Sequence, residues 1–192
     1  MPVFDMHIHL ENRSSCSHLS INQLKENLSH IYDGICVTDH HLLTHAKYVS
    51  IIGVKVFFGV EITCDQGDIL AYGINKMPPN RQNAEEVLNF IHKQGGVAVC
   101  AHPFSPHHYS FQDSVYDFNF DAIEINGSIS NKYNKPARKA AEIMKLPTIG
   151  GSDAHSREQL NQMGTKFSIK IKTIEDIIFA IKEQKCKAIK IY

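Results

Sequence analysis

The 192-residue chain has no excess of either charge, no long apolar run, and no tract rich in proline, glycine or serine. Its 20 basic and 20 acidic side chains cancel. A protein built to grip long polyanions shows a basic stripe, so nucleic acid beyond a short oligonucleotide is not an expected partner. No stretch approaches the roughly 20 apolar residues of a membrane span. The N-terminal run is interrupted by Asp5 and His7 and lacks a basic leader, so it does not read as a signal peptide. The five cysteines, Cys16, Cys36, Cys64, Cys100 and Cys186, are odd in number and widely spaced, which implies reduced thiols and a cytoplasmic location rather than a disulfide framework. At 43% hydrophobic composition the chain can bury a real core as one domain, residues 1–192.

What the chain has in quantity is histidine, at 12 of 192 positions. The run Val3-Phe4-Asp5-Met6-His7-Ile8-His9 reads as a strand. Period-two geometry would put Asp5, His7 and His9 on one face and Phe4, Met6 and Ile8 on the other. Two imidazoles so placed have Cα atoms about 7 Å apart and can reach one divalent ion. Chance alone yields a His-x-His about 0.7 times in a chain this rich in histidine, so the pair by itself proves little. Its weight comes from recurrence further along.

Gly34 to Thr38 reads as a buried strand ending in Asp39-His40-His41; Val54 to Val60 ends in Glu61; Val97 to Ala101 ends in His102-Pro103; Ala122-Ile123 leads to Glu124 and Asn126; Pro147 to Gly151 ends in Ser152-Asp153-Ala154-His155. A turn at 65–68 precedes a strand over 69–74 that pairs with its predecessor. Between these lie amphipathic helices: Ser20 caps one with Ile21, Leu24, Leu28 and Ile31 on a face; a second carries Ala84, Val87, Leu88 and Ile91 and closes at Gly95-Gly96; a third spans Pro136 to Lys145; Thr173 caps a fourth. A short amphipathic segment holds Leu42, Leu43, Ala46 and Val49, and strands are expected over 167–171 and 188–192. The loop from Phe104 to Phe120 is long enough to serve binding, and it holds His107, His108 and Tyr109. Apolar strands alternating with helices imply a mostly parallel sheet covered by helices, with strand ends converging on one face.

Imidazoles and carboxylates crowded at one mouth repel or desolvate one another unless cations join them. Histidine suits Zn, Mn or Fe, and a carboxylate bridges two ions about 3.5 to 4 Å apart, the separation used in two-metal hydrolysis. Phosphoester hydrolysis by a metal-activated water is the reaction class that fits best. Arg13 and Arg157 lie in loops beside the ligand-type motifs, where a guanidinium fork can grip phosphate. His107, His108, Lys135 and Arg138 are weaker candidates for that task. Asp68, Glu124 and Cys16 are further candidate ligands, and Asp5 reads as a buttress for a histidine.

Asp5-Met6-His7-Ile8-His9, Thr38-Asp39-His40, Gly59-Val60-Glu61-Ile62, Ala101-His102-Pro103-Phe104, Ile123-Glu124-Ile125-Asn126-Gly127 and Gly150-Gly151-Ser152-Asp153-Ala154-His155, in this order, resemble the PHP (polymerase and histidinol phosphatase) family. The resemblance implies an α/β fold, a distorted seven-stranded β/α barrel with two or three divalent metal ions at the C-terminal ends of the strands, and a metal-dependent phosphoesterase acting on a small phosphorylated substrate. By motif position His7, His9, Glu61 and Asp153 would hold one metal, Glu61 and His102 a second, and His40 with His155 a third; Asp68 or Glu124 would complete the second, and Asp153 and His155 would stand at the reacting centre. The chain departs from the pattern at Ser14-Ser15, where many members place an Asp or His ligand for the third metal. The alternatives are a metal-dependent amidohydrolase, against which stands the absence of a lysine at a strand end, and a catalytically silent metal-binding module.

Overall fold

The structure, a computed structural model, describes residues 1–43, 49–51 and 53–191. The strands are β1 (Val3–Ile8), β2 (Gly34–Val37), β3 (Val49–Ile51), β4 (Val54–Thr63), β5 (Asp68–Tyr72), β6 (Val97–Cys100), β7 (Ala122–Asn126), β8 (Thr148–Gly151), β9 (Met163–Phe167) and β10 (Cys186–Lys190). The helices are α1 (Ile21–Asn27), α2 (Ala84–Lys93), α3 (Asn131–Met144) and α4 (Ile174–Lys182). No helix among the described residues is long and apolar enough to cross a membrane.

The sheet runs β10-β9-β1-β2-β4-β5-β6-β7-β8, with β3 beside β4. That is nine strands on the path, not the seven expected. β5, β9 and β10 run antiparallel to their neighbours, while β1, β2 and β4 are mutually parallel, as are β6, β7 and β8. β9 lies between β1 and β8 in the lower part of the sheet, where the Thr165 hydroxyl bonds both the N–H and the carbonyl of Gly150. Above β9 the sheet nearly closes on itself: Asp153 N donates to His7 O at 2.8 Å and His9 N to Ala154 O at 3.1 Å.

Period two sorts the strand residues into an inner and an outer set. Phe4, Met6, Cys36, Phe57, Leu70, Tyr72, Val97, Val99, Ala122 and Ile149 share one buried cluster with Ile177 and Ile181 of α4. Counting on by two from these carries β4 to Glu61, β5 back to Asp68 and β7 to Glu124. The chemical residues therefore sit one layer above an apolar floor that α4 seals. β1 obeys this only through a bulge: Asp5 pairs with Ile35 but Ile8 with Val37, three residues against two. Phe4 and Met6 consequently join the inner cluster while Ile8 packs outside with Leu19, Leu24, Ile35 and Val37. The single-face reading of Phe4, Met6 and Ile8 is corrected by that extra residue, which re-aims the side chains beyond it.

Capping set the helices much as their sequences suggested. Ser20 and Thr173 make capping boxes, and α2 buries Ala84, Val87, Leu88 and Ile91. α1 stops at Asn27, so Ile31 lies beyond it and is exposed. α3 starts at Asn131 behind a Ser130 cap, five residues before Pro136, which it accommodates near its N-terminus. The expected strand over 167–171 is displaced to β9, ending at Phe167, because residues 163–167 pair with both β1 and β10. Within the segment of Leu42, Leu43, Ala46 and Val49, Ala46 lies outside the described residues, as does Tyr192.

The site strands abut through glycine. A Cβ on Gly151 would lie 2.3 Å from His7 Cβ and 2.7 Å from His7 N, contacts that only backbone movement relieves. Gly151→Ala is expected to destabilise the protein by about 1–3 kcal/mol, as overpacked cores do. Denaturant unfolding measures this; a midpoint equal to the parent's would mean the β1–β8 seam is not close-packed.

Candidate metal centre

Three backbone devices deliver the side chains. β5 runs against its neighbours, so its first residue, Asp68, lies at the mouth opposite Thr63 of β4. His102 and Asp153 follow their strands with positive φ, 28° and 53°, a turn of the chain that ordinary residues adopt rarely. The bulge in β1 swings His7 and His9 inward.

The centre of the cluster is compact. His7 Nε2 and His9 Nε2 are 2.9 Å apart; Glu61 Oε2 lies 3.3 Å and 3.1 Å from them, and Asp153 Oδ1 3.4 Å from each. A tetrahedral ion with bonds of about 2.0–2.1 Å separates its ligand atoms by roughly 3.3 Å. The His7, His9 and Asp153 atoms match three corners of that cage, and Glu61 Oε2 lies beside the two imidazoles. The other oxygen of Glu61, Oε1, is 3.1 Å from His102 Nε2, and Asp68 Oδ2 is 3.8 Å from the same nitrogen. Glu61 thus faces His7 and His9 through one oxygen and His102 through the other. Glu61, Asp68 and His102 form a set whose atoms lie within 4.8 Å of one another, as do His7, His9 and Asp153, then His9, His40 and His155, and finally His102, His108 and Asp153. Asp68 Oδ1 and His102 Nδ1 are buried with no hydrogen-bond partner, which a cation beside them would remedy.

Behind the cage the imidazoles are braced. His7 Nδ1 bonds Glu124 Oε1 at 2.8 Å, and His9 Nδ1 bonds the Ser14 hydroxyl at 3.1 Å. Ser14 donates its proton to Asp39 Oδ1 at 2.9 Å, so it accepts from His9, leaving the His9 Nε2 lone pair free. Such partners orient metal-binding histidines. Glu124 is accordingly placed behind His7 rather than among the inward-facing ligand atoms; its Oε2 accepts from His102 N at 2.8 Å and Asn126 Nδ2 at 3.0 Å. Asp5 buttresses backbone rather than a ring, its Oδ1 accepting from His7 N and Ser152 N.

Of the cations expected to grip phosphate, Arg157 is corrected: it is exposed, and its Nε donates to Glu158 because the turn 157–159 runs along the surface. Arg13 lies at the rim with its Nε on Asp39 Oδ2 and its guanidinium over Phe58. All five cysteines are free, and exposed Cys16 joins none of the ligand groups among the described residues. His40 and His155 flank His9, with His155 stacked on it at 4.3 Å. His108 is the residue that sequence reasoning underweighted. Its ring stacks on His102 at 4.5 Å and its Nε2 lies 3.6 Å from Asp153 Oδ2. The only signal for it was position, in a long loop directly after a strand-end histidine.

Electrostatics divide the cluster in two. Burial alone would lower His7, but Asp153, Glu124 and Glu61 outweigh it and hold its pKa well above the usual imidazole range. His9 is likewise raised against burial by Asp153 and Glu61, and His102 is raised to about 9 against burial by Glu61 and Asp153. Burial works against Glu61 and Asp153 as well, yet His7 and its neighbours hold both carboxyls well below their ordinary range. Burial brings His40 down to about 4 and lowers His155 and His108, which therefore stay neutral. Asp68 is pushed up to about 6 by burial and by Glu61.

A barrel-like α/β sheet with imidazoles and carboxylates gathered in metal-holding geometry at one mouth defines the class to which this molecule belongs. The model of the PHP-associated family matches residues 131–186. An uncharacterized protein of Methanocaldococcus jannaschii is 30% identical over 95 residues, a match spanning 47% of this chain and 56% of that protein. Two solved structures share the fold. One is a two-domain protein from Bacteroides vulgatus described as containing a "predicted PHP-like metal-dependent phosphoesterase", with a TM-score of 0.74, 18% identity, and coverage of 98% of this chain and 64% of that one. The other is a lesion-specific endonuclease from Pyrococcus furiosus, with a TM-score of 0.67, 19% identity, and coverage of 97% and 57%. The matched segment and the shared fold make the chain similar to PHP-like proteins, in keeping with the resemblance its six ordered motifs carry.

In the metal-stripped protein the raised histidines hold protons that the unfolded chain, titrating near 6.5, has released. That contribution is complete below about 6.5 and is lost as pH rises through about 9. The melting temperature of chelator-treated protein is therefore expected to fall between these values; a flat or rising profile would contradict the charge balance described.

Proposed function

We propose that the protein is a metal-dependent phosphoesterase that hydrolyses a small phosphorylated substrate at a centre of two divalent cations of the Zn, Mn or Fe type. The observation that carries the reading is Glu61, whose two carboxylate oxygens face different ligand groups, Oε2 toward His7 and His9 and Oε1 toward His102. His7, His9, Asp153 and Glu61 would hold one cation, and Glu61, Asp68 and His102 the other. Such a pair, when bound, polarises a phosphoryl oxygen and lowers the pKa of a water shared between the ions. Glu124 and Ser14 keep the Nε2 lone pairs of His7 and His9 directed inward, while Asn126 and Ser128 hold the Asp153 carboxylate by its Oδ2. Burial of His7, His9, Glu61, His102 and Asp153 keeps bulk water from competing for these groups.

Three cations are disfavoured by a specific contact. His9 cannot offer Nε2 to the first group and also serve a group with His40 and His155, because its Nδ1 is bonded to Ser14. That leaves two neutral imidazoles at the rim, His40 with its Nδ1 3.2 Å from Glu61 Oε2 and His155 with its Nδ1 3.0 Å from Asp153 O, each with Nε2 available to substrate. Beside the mouth an open groove of about 950 Å³, lined by His41, Thr63, Asn80, Arg81 and Gln82, offers polar partners to the rest of the substrate. His41 lies one ring from His40, with centroids 6.2 Å apart, so groove and centre adjoin.

Protein loaded with Mn²⁺ or Zn²⁺ is expected to hydrolyse a generic aryl phosphate and to lose both activity and melting temperature on chelation. His9→Ala and Glu61→Ala are expected to abolish turnover, and Glu124→Gln, which keeps the shape but weakens the brace on His7, to lower it by about 10–100-fold. The panel includes phosphodiesters, short oligonucleotides, since one fold neighbour is an endonuclease, and amides. Turnover confined to amides would replace this reading with an amidohydrolase, and tight metal binding without turnover on any of them would leave a silent module.

A further inference from the structure

With Arg157 on the outer surface and the Arg13 Nε on Asp39, the centre needs another donor for the non-bridging oxygens of a phosphoryl group. We infer that His108, presented by the loop after β6, grips a phosphoryl oxygen of the substrate through its Nε2–H. The inference rests on the phosphoesterase reading above and names a positioning residue for it.

The argument is one of hydrogen-bond capacity. Ser105 is buried, and its hydroxyl oxygen accepts from two backbone amides, His107 N at 3.2 Å and His108 N at 3.1 Å. Those bonds occupy both lone pairs, so the one proton of Ser105 goes to His108 Nδ1, which lies 2.7 Å away. A neutral imidazole that accepts at Nδ1 carries its hydrogen on Nε2. The ring is then a donor toward the mouth, the reverse of His7 and His9, whose Nδ1 atoms face acceptors from behind. The nearest carboxylate oxygen, Asp153 Oδ2, is 3.6 Å from His108 Nε2, beyond hydrogen-bonding reach, and it already accepts from Asn126 at 3.2 Å and Ser128 at 3.1 Å.

Two further features suit the role. Stacking on His102 at 4.5 Å fixes the plane of the ring against a residue of the proposed second cation group. The side chain is 34% exposed, so it meets a ligand arriving from solvent, whereas the cage residues beneath are buried. The loop itself is tied down, with Phe111 packed edge-on against Phe118 and Phe120, and with the Ser105 carbonyl accepting from Ser110 and Gln112. The donor is therefore held in place before substrate arrives. The competing role is that of a cation ligand, since atoms of His102, His108 and Asp153 lie within 4.8 Å of one another. That role requires the opposite tautomer.

The test compares Mn²⁺-loaded parent, His108→Ala, His108→Gln and Ser105→Ala proteins for metal content by elemental analysis and for equilibrium binding of inorganic phosphate. The expected result is parental metal content in all four, phosphate affinity about 10–100-fold weaker in His108→Ala, as for loss of a hydrogen bond to a charged group, and partial recovery in His108→Gln, whose amide places an N–H near the same point. Ser105→Ala retains the imidazole but frees its tautomer, so its phosphate affinity is expected to fall in the same direction. Lower metal content in His108→Ala would make the residue a ligand and overturn the inference. Unchanged phosphate affinity in His108→Ala and Ser105→Ala, in a parent that hydrolyses phosphoesters, would overturn it alone; a parent that neither binds phosphate nor hydrolyses any phosphoester would take the phosphoesterase reading down as well.

Discussion

The structure is organised around one electrostatic constraint: Glu61 is a buried carboxylate with imidazoles on both of its oxygens. In a medium of low dielectric an isolated carboxylate is costly to bury, and so is the group of histidines that surrounds it. In the absence of a cation the carboxylates draw the pKa values of His7, His9 and His102 upward against burial, and those imidazoles draw Glu61 and Asp153 down. A divalent cation does the same work with fewer particles and fixed geometry. The Nε2 and carboxylate oxygens are already separated by 2.9–3.4 Å, so little rearrangement is needed to exchange protons for metal.

That constraint explains features of the fold lying well away from the centre. Groups held this close need to be restrained from behind, and the restraints come from β7 and from the segments after β1, β2 and β7. Glu124 on β7 orients His7 on β1; Ser14 and Asp39 orient His9; Asn126 and Ser128 hold Asp153. The braces are themselves buried or half-buried, so they act on the cluster with little competition from solvent. Below them the interior turns apolar along each strand, from Glu61 past Gly59 to Phe57 on β4 and from Glu124 to Ala122 on β7, and α4 closes the bottom with Ile177 and Ile181. The apolar floor supplies the burial, and the mouth supplies the chemistry.

Much of this was legible in the sequence, for a physical reason. Strand-end positions in a parallel sheet converge, so a polar residue at the end of each apolar run is informative without knowledge of pairing. His7, His9, Glu61, His102 and Asp153 are brought together in that way, while Asp68 joins them from the start of antiparallel β5. What was not legible depended on contacts between distant segments. The bulge in β1 changes the inner face after Asp5, and it exists because the register against β2 shifts, which no property of residues 3–9 announces. β9 wedges between β1 and β8 through the close approach of Gly150 and Gly164, so the strand count exceeds seven. Arg157 sits beside a ligand motif along the chain yet points away from it, a reminder that proximity in sequence fixes side-chain direction only inside regular elements.

The same distinction separates Ser14 from the ligand residue that many PHP members place near that position. A carboxylate or imidazole there would add a third ligand beside His40 and His155. A serine instead accepts hydrogen bonds from His9 Nδ1 and, at 3.2 Å, from His40 N, and donates its own to Asp39, so the segment becomes a clamp on His9. A small hydroxyl at this position thus turns this stretch of chain to aligning the ring of His9. The rim histidines His40 and His155, kept neutral mainly by burial, are left facing the approach to the centre rather than filling it. The cluster therefore sets its buried carboxylates, Glu61, Asp68 and Asp153, at depth and uncharged ring nitrogens at the edge.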